Sequence, residues 1–267
     1  MSAVLSMASH PRPIGGYYYV FAQTDADVEE SLALRHRVFV EELGAKASGG
    51  PGRETDALDA FCLHVGVRDM TTHQLVASTR VLTHEAAIAA GGFYSATEFD
   101  IAPVLARPGR FLEIGRTCVD PAHRSGAAIT ALWAGLADLV RADQYDHLIG
   151  CASVDLSGGL AAAHAICERI QTRQPVPADC RVTPYHTLPA ADRDASGPTR
   201  LPPLIKAYLR IGARVGGPPC YDPDFNVADV FMHLDLAALT PRYARHFLGT
   251  TPQPRSRAAP HLSAVRY

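Results

Sequence analysis

The spacing of apolar positions changes several times along the chain, and each change marks a predicted element. Tyr17 to Gln23 is aromatic and β-prone, and the capping-box pair Thr24 and Asp27 predicts a helix running through Val28, Leu32 and Phe39. A Gly/Ala/Ser-rich loop, Gly44 to Arg53, precedes two strand patterns, Phe61 to Arg68 and Gln74 to Thr83, with a polar turn at Asp69 to His73 between them. Phe111 to Val119 reads as a central strand. After Asp120-Pro121, the residues Ile129, Leu132, Trp133, Leu136, Leu139 and Val140 fall on one face of a helix. His147 to Val154 is a further buried-strand pattern and Leu160 to Ile170 a further helix.

Seven prolines between Gln174 and Pro203 then break the regular pattern. Beyond them Leu204 to Val215 has helical spacing, with Lys206, Arg210 and Arg214 forming a basic stripe opposite Leu204, Ile205, Tyr208 and Leu209. Val227 to Leu236 is predicted as a strand and Pro241 to Leu248 as a last helix. The organisation expected is a loose tail over 1–16, a core over 17–173, a proline-rich connection over 174–203, an extension over 204–249 packed on that core, and a second tail over 250–267. Strands alternating with helices make the fold class α/β.

Composition adds bounds. A chain of 267 residues that is 47% hydrophobic can bury a full core. The net charge of −2 hides an asymmetry, since the residues from Pro198 onward carry nine Lys and Arg against four Asp. A basic end suits an acidic partner or anionic lipid. No stretch approaches the roughly 18 apolar residues of a membrane span, and the start lacks the pattern of an export signal, so a cytoplasmic location is expected. The six cysteines form no Cys-x-x-Cys pair, which predicts thiols without disulfides or zinc. Basic residues are not interleaved with aromatics as nucleic-acid binding would require.

Charged blocks set beside apolar runs are the candidate chemistry: Arg35-His36-Arg37-Val38-Phe39, Glu54-Thr55-Asp56-Ala57-Leu58-Asp59, Arg80, and Glu113-Ile114-Gly115-Arg116. Three carboxylates within six residues repel one another unless cations intervene; Arg35, Arg80 and Arg116 offer that countercharge from apolar segments, and a cationic amine substrate would also fit. A solvated acidic loop is the plainer alternative. Glu113 and Arg116 point to opposite faces of a regular strand unless a bulge re-aims one. Glu113 on a central strand is placed either to take a proton from an attacking amine or to make an internal salt bridge. The segment Asp120 to Ala128 sets small residues before a helix, where backbone amides and the helix dipole can hold a phosphate, although such a start is also common punctuation. His64 and Asp69 match an acyltransferase His-x4-Asp spacing inside a strand pattern, read as coincidence. Nucleophile-elbow, Walker, dinucleotide-binding and zinc-protease motifs are missing from the sequence.

In order, Arg-x-x-Val-Phe, Glu-x-Asp-x-x-Asp, Ser-Thr-Arg80 and Glu-x-x-Arg resemble acyl-homoserine-lactone synthases and their GNAT-fold relatives. Leu132-Trp133-x-Gly135, Gly150-Cys151-Ala152-Ser153, Pro202-Pro203-Leu204-Ile205-Lys206-x-Tyr208-Leu209-Arg210, Asp222-x-x-Phe225-Asn226-x-x-Asp229-Val230 and Arg242-Tyr243-x-x-His246-Phe247 resemble the bacterial L-ornithine Nα-acyltransferases of ornithine-lipid synthesis. The resemblance spans about Ser31 to Gly249. It implies a GNAT-like three-layer fold, a mixed central sheet flanked by helices with a C-terminal helical and strand extension. It also implies transfer of a 3-hydroxyacyl group from acyl carrier protein to the α-amine of ornithine. His123 stands where a GNAT phosphate loop usually has Gln or Arg.

On that resemblance Glu113 and Arg116 are the catalytic candidates, and Arg35, Glu54, Asp56, Asp59 and Arg80 bind the substrate. His123, Arg124, Ser125, Gly126 and Ala127 meet the phosphopantetheine, and Lys206, Arg210 and Arg214 dock the carrier protein. Asp56 or Asp59 is expected to hold the distal ammonium and an Arg the carboxylate. No metal and no permanently bound cofactor is expected. The donor is acyl-phosphopantetheine on acyl carrier protein and the acceptor a small amino acid, with peripheral contact at the inner membrane face. The rivals are a homoserine-lactone synthase, an acetyl-CoA-dependent N-acetyltransferase, and a non-enzymatic acyl-carrier or lipid-binding module.

Overall fold

The structure is a computed structural model and describes residues 13–46, 48–191, 200–239 and 244. The first twelve residues, the predicted helix Pro241 to Leu248 apart from Ala244, the Arg242 to Phe247 motif and the tail over 250–267 lie outside the described residues.

The main sheet holds eight strands in the order β1 (Tyr17–Phe21), β2 (Leu63–Asp69), β3 (Leu75–Thr83), β5 (Phe111–Val119), β6 (His147–Asp155), β10 (Val227–Asp235) and β8 (Arg214–Val215), with β9 (Cys220–Asp222) also on β10. A small second sheet pairs β4 (Phe99–Asp100) with β7 (Thr183–Pro184). Neighbours in the main sheet are antiparallel except β5 and β6. Helix α1 (Asp25–Arg35) starts on the capping box of Thr24 and Asp27 and continues into a π-helical stretch, His36–Glu42. The other helices are α2 (His84–Ala90), α3 (Ser95–Glu98), α4 (Ala102–Leu105), α5 (Ala127–Asp143), α6 (Leu160–Arg173) and α7 (Pro203–Ile211).

Three layers follow from the period-2 alternation of the buried strands. Val81, Leu148 and Met232 enter the core shared with α5, α6 and α7, whereas their neighbours Leu82, Ile149 and Phe231 face the layer built from α2, α3, α4 and the segment around Val176 to Val182. The segment after residue 203 continues the sheet: β10 pairs with β6 over nine residues, Val227 to Asp235. The helical pattern read to Val215 stops earlier. Gly212 caps α7 in the left-handed region at φ 104°, and Arg214 belongs to β8, off the basic stripe.

Two irregularities open the sheet at its centre. The parallel pairing of β5 and β6 covers only Phe111 to Glu113 against His147 to Ile149, after which the strands diverge. In β5 the register against β3 shifts between Ser78 and Arg80, so Thr79 opposes both Arg116 and Thr117, and Arg116 adopts a left-handed φ of 52°. Thr79 ties this bulge from across the pair, its hydroxyl 3.0 Å from the Gly115 carbonyl and 2.7 Å from the Thr117 hydroxyl.

Candidate active site

Where β5 and β6 part, a cavity of about 220 Å³ passes through the sheet. Strand alternation puts Arg80, Leu82, Glu113, Cys151, Ser153 and Asp229 on one face of it, and Leu204 and Tyr208 of α7 reach it from the other. Among the described residues, alternate peptide groups of β5 beyond Glu113 have no strand partner on the open side, which leaves donors and acceptors for a bound chain.

The charged blocks of the sequence do converge. Arg35 donates from Nε to Glu54 at 2.5 Å and from Nη1 to Asp59 at 2.6 Å. Arg80 reaches Asp56 at 2.5 Å and Asp59 at 3.2 Å, and Arg116 reaches Glu54 at 3.2 Å and Asp56 at 3.3 Å. The bulge thereby turns Arg116 to the side of the sheet that carries Arg80, and both guanidiniums lie over the Tyr94 ring, Arg116 also over Phe225. Three carboxylates and three guanidiniums balance. Burial works against the charge on Asp59, yet the bond and charge of Arg35, helped by Arg80, hold its carboxyl well below the ordinary range.

This neutral network changes the part its acids can play. Arg80 and Arg116 line the cavity, whereas Arg35, Glu54, Asp56 and Asp59 stand behind its wall. The charge of Asp56 and Asp59, expected from the sequence to meet the acceptor's ammonium, is already engaged by arginine. Among the described residues, the buried Nη2 of Arg80 has no hydrogen-bond partner.

Glu113 lines the cavity and is 3% exposed. Oε2 accepts the N–H of Tyr94 at 2.6 Å, and Oε1 accepts the N–H of Ser95 at 2.8 Å and its hydroxyl at 2.5 Å. Burial nevertheless outweighs these donors and raises its pKa. The sequence offered no sign of this clasp, because α3 is four residues long.

Asp229, opposite Ser153 in the register, accepts its hydroxyl at 2.7 Å. Burial pushes Asp229 up to about 6. Glu98, at the end of α3, is pushed up to about 8 by burial and then by the charge of Asp229. Asp222, on β9, also lines the cavity. Asp222 and Asp229 stood in the sequence only as letters of a motif; Glu98 was not singled out at all. Cys151, between β-strand neighbours of the same wall, is a free thiol whose pKa burial raises well above the ordinary value.

The segment read as a phosphate loop stands apart from this cavity's lining. His123 Nδ1 lies 3.0 Å from the Tyr17 hydroxyl, and Arg124 forms a two-pronged ion pair with Glu42 at 2.6 and 2.7 Å. Both side chains are thus committed within the fold. Gly126 precedes α5 at φ 101°, and no side chain caps that 17-residue helix. Ser125, Gly126 and Ala127 therefore lead into an uncapped helix start, as an anion site requires. Of the proposed docking residues, Lys206 joins Arg169, Arg173 and Arg200 around a second groove, Arg210 is exposed on α7, and Arg214 donates to the Pro175 carbonyl. His64 is buried on β2 with both ring nitrogens unbonded, while Asp69 accepts the N–H groups of Thr71 and Thr72 in the following turn, so the two do not form a pair.

The sequence profile of the Acetyltransferase (GNAT) domain matches residues 34–134. The chain is 34% identical over 245 residues to an L-ornithine N(alpha)-acyltransferase of Rhizobium meliloti (strain 1021), covering 85% of this chain and 82% of that protein. It is 34% identical over 248 residues to one of Rhodobacter capsulatus, covering 86% and 94%. The chain belongs to the L-ornithine Nα-acyltransferase family. Members are acyltransferases, and the α/β architecture expected from the sequence is the GNAT fold observed. In fold it is similar to the AHL synthase LasI, at TM-score 0.52 and 14% identity over 90% of this chain and 98% of that one. It is likewise similar to FeeM, an N-acyl amino acid synthase from uncultured soil microbes, at TM-score 0.51 and 10% identity over 88% and 98%.

Proposed function

We propose that the protein moves a 3-hydroxyacyl group from the phosphopantetheine thiol of acyl carrier protein to the α-amine of L-ornithine, giving lyso-ornithine lipid. Membership of the Nα-acyltransferase family over most of the chain carries this reading, and the cavity supplies a chemistry that fits it. The acceptor's α-ammonium gives up one proton, its nitrogen attacks the thioester carbonyl, the C–S bond breaks, and the nitrogen loses a second proton as the amide forms. The thiolate takes up one proton, so one is released per turnover.

Glu113 is the proposed base, its raised pKa placing it nearer the amine than an ordinary carboxylate. The unbonded Nη2 of Arg80 is the proposed donor to the acceptor's carboxylate, with Arg116 beside it. Peptide groups of the parted β5 stabilise the oxyanion, and the uncapped start of α5 at Ser125 to Ala127 takes the phosphate of the arm. Selectivity for the α-amine follows in part from acidity: a side-chain amine near pKa 10.4 is about 2 to 3 units harder to deprotonate than an α-amine near 8.

Among the described residues no helix is long and apolar enough to cross a membrane. The product's single acyl chain supports a peripheral encounter with the inner membrane face. The test is ornithine-dependent release of free thiol from 3-hydroxyacyl carrier protein, with the product identified by mass. Thiol release that needs S-adenosylmethionine instead, or turnover with acetyl-CoA alone, overturns the proposal.

A further inference from the structure

We propose that Glu98, Asp222 and Asp229 hold the side-chain ammonium of the amino-acid acceptor and so determine which amino acids are acylated. This assignment rests on the function proposed above: Asp222 and Asp229 line the same cavity, and Glu98 stands behind them with one carboxylate oxygen within reach of theirs. One carboxylate oxygen from each residue lies within 4.8 Å of the others. They come from three separate elements, α3, β9 and β10, which only the fold brings together.

The three are not a solvated acidic patch. Glu98 is 7% exposed, its oxygens make no close hydrogen bond among the described residues, and only the neutral Tyr94 and Cys151 side chains face it as donors. A carboxylate taken from water without a cationic partner is unstable, and two acidic neighbours worsen its position. Among the described residues no Lys or Arg forms an ion pair with any of the three; Lys46, on the neighbouring loop, pairs with Asp224 at 2.6 Å instead. The contrast with the other acids of the site is direct, since Glu54, Asp56 and Asp59 each have a guanidinium.

The occupant is read from what each acid has left. Oδ1 of Asp229 accepts the Ser153 hydroxyl, and Oδ1 of Asp222 accepts the N–H groups of Asp224 and Phe225 at 2.8 and 3.1 Å. Among the described residues four oxygens are left, both of Glu98 and Oδ2 of Asp222 and of Asp229, and one from each residue can meet the three N–H donors of an alkylammonium. The remainder of the cavity agrees. Arg80 and Arg116 line it as well, so the cavity offers cationic and anionic side chains together, as a basic amino acid held by its carboxylate and its distal amine demands. Asp222 and Asp229 line the cavity together with Glu113, the proposed base.

The experiment compares ornithine with norvaline, the same carbon skeleton without the terminal amine, in the full chain and in Glu98→Gln, Asp222→Asn and Asp229→Asn. The wild type is expected to favour ornithine, and each substitution to lower the ratio of kcat/KM for ornithine over norvaline at least about tenfold, mainly through the KM for ornithine. Asp222 is half-buried, so Asp222→Asn carries the test should a more buried variant fail to fold. Equal losses on both amino acids, leaving the ratio unchanged, overturn the assignment and give the trio a structural or proton-transfer part. A rise in Tm with Mn²⁺ or Ca²⁺ alone that disappears in Glu98→Gln overturns it in favour of a metal site. A wild type that acylates neither amino acid overturns the parent function and this assignment with it; a wild type that acylates ornithine, with variants that keep the ratio, overturns this assignment alone.

Discussion

Glu113 accepts the backbone N–H of Tyr94 at 2.6 Å, and through that bond the central strand holds the start of α3. The adjacent bonds from Ser95 complete a clasp between the proposed base and the short helix that carries Glu98. One carboxylate therefore serves the chemistry and also positions the short helix that carries Glu98. Glu113→Gln is expected to lower kcat at least about 100-fold, as loss of a general base does. The amide would also present a donor to a backbone N–H, so the KM for ornithine should rise as α3 shifts. Ser95→Ala removes the hydroxyl bond to Glu113 and the weak contact from the Cys151 thiol, keeps the backbone bond, and should leave kcat within about tenfold of wild type. Steady-state rates across ornithine concentration separate the two effects, and near-normal kcat in Glu113→Gln sinks the assignment of the base.

The pH dependence of stability follows from the direction of two shifts. Asp229 and Glu98 are both raised above their ordinary values, to about 6 and about 8, so the stability associated with their neutral forms is present at low pH and lost as pH climbs through those values. The groups that act on Glu98 include Asp229 and Asp222 as raising charges and Tyr94 and Cys151 as neighbours. The ligand-free protein should thus show a falling Tm from about pH 4 to about pH 8, and Glu98→Gln should flatten the upper half of that fall. Scanning calorimetry in matched buffers measures it. A Tm for the wild type that rises over the same range contradicts the burial of these acids.

How far the site was legible depended on element length. The nine residues of β5 and the seventeen of α5 carry enough repeats to declare their period, and both appear over the predicted stretches. Helices α2, α3 and α4 have seven, four and four residues, too short for a 3.6-residue period to show, and Glu98 was lost with them. The charged blocks were visible because ionised residues beside apolar runs stand out. Which acids would be neutralised and which left bare depends on the register of β10 against β6 and on the bulge at Arg116, and neither has a local signature. The overrun of α7 has a different source. Gly212 was a stop signal in plain view, but the apolar spacing beyond it, Ala213 and Val215, continued the helical pattern into a short strand.

Arg35 tests whether the neutral network supports the fold. It is 1% exposed and satisfies Glu54, which is fully buried, together with Asp59. Removing one partner from a buried ion pair strands the other charges, at a cost of about 3 to 5 kcal/mol. Arg35→Ala is therefore expected to lose about that much unfolding free energy in urea titrations. Arg53→Ala, which removes an exposed pair with Glu29, should lose no more than about 1 kcal/mol. Equal losses would mean that burial does not distinguish the two pairs.

The carrier-protein surface is tested through α7, which turns Leu204 and Tyr208 to the cavity while Lys206 and Arg210 remain exposed. A partner docked on the outer side of this helix would have the parted strands directly beneath it. Lys206 also shares its groove with Arg173 and Arg200, so an acidic partner meets several positive charges at once. Charge reversal at Lys206 and Arg210 should raise the KM for acyl carrier protein about tenfold and weaken its dependence on salt, because long-range attraction between exposed charges is what salt screens. The KM for ornithine should not change, since neither side chain lines the cavity. Arg214, turned aside into β8 and bonded to the Pro175 carbonyl, should matter less than the other two. Rates measured across donor concentration at low and high ionic strength decide the point: an unchanged donor KM in the Lys206 and Arg210 variant places carrier-protein docking elsewhere on the molecule.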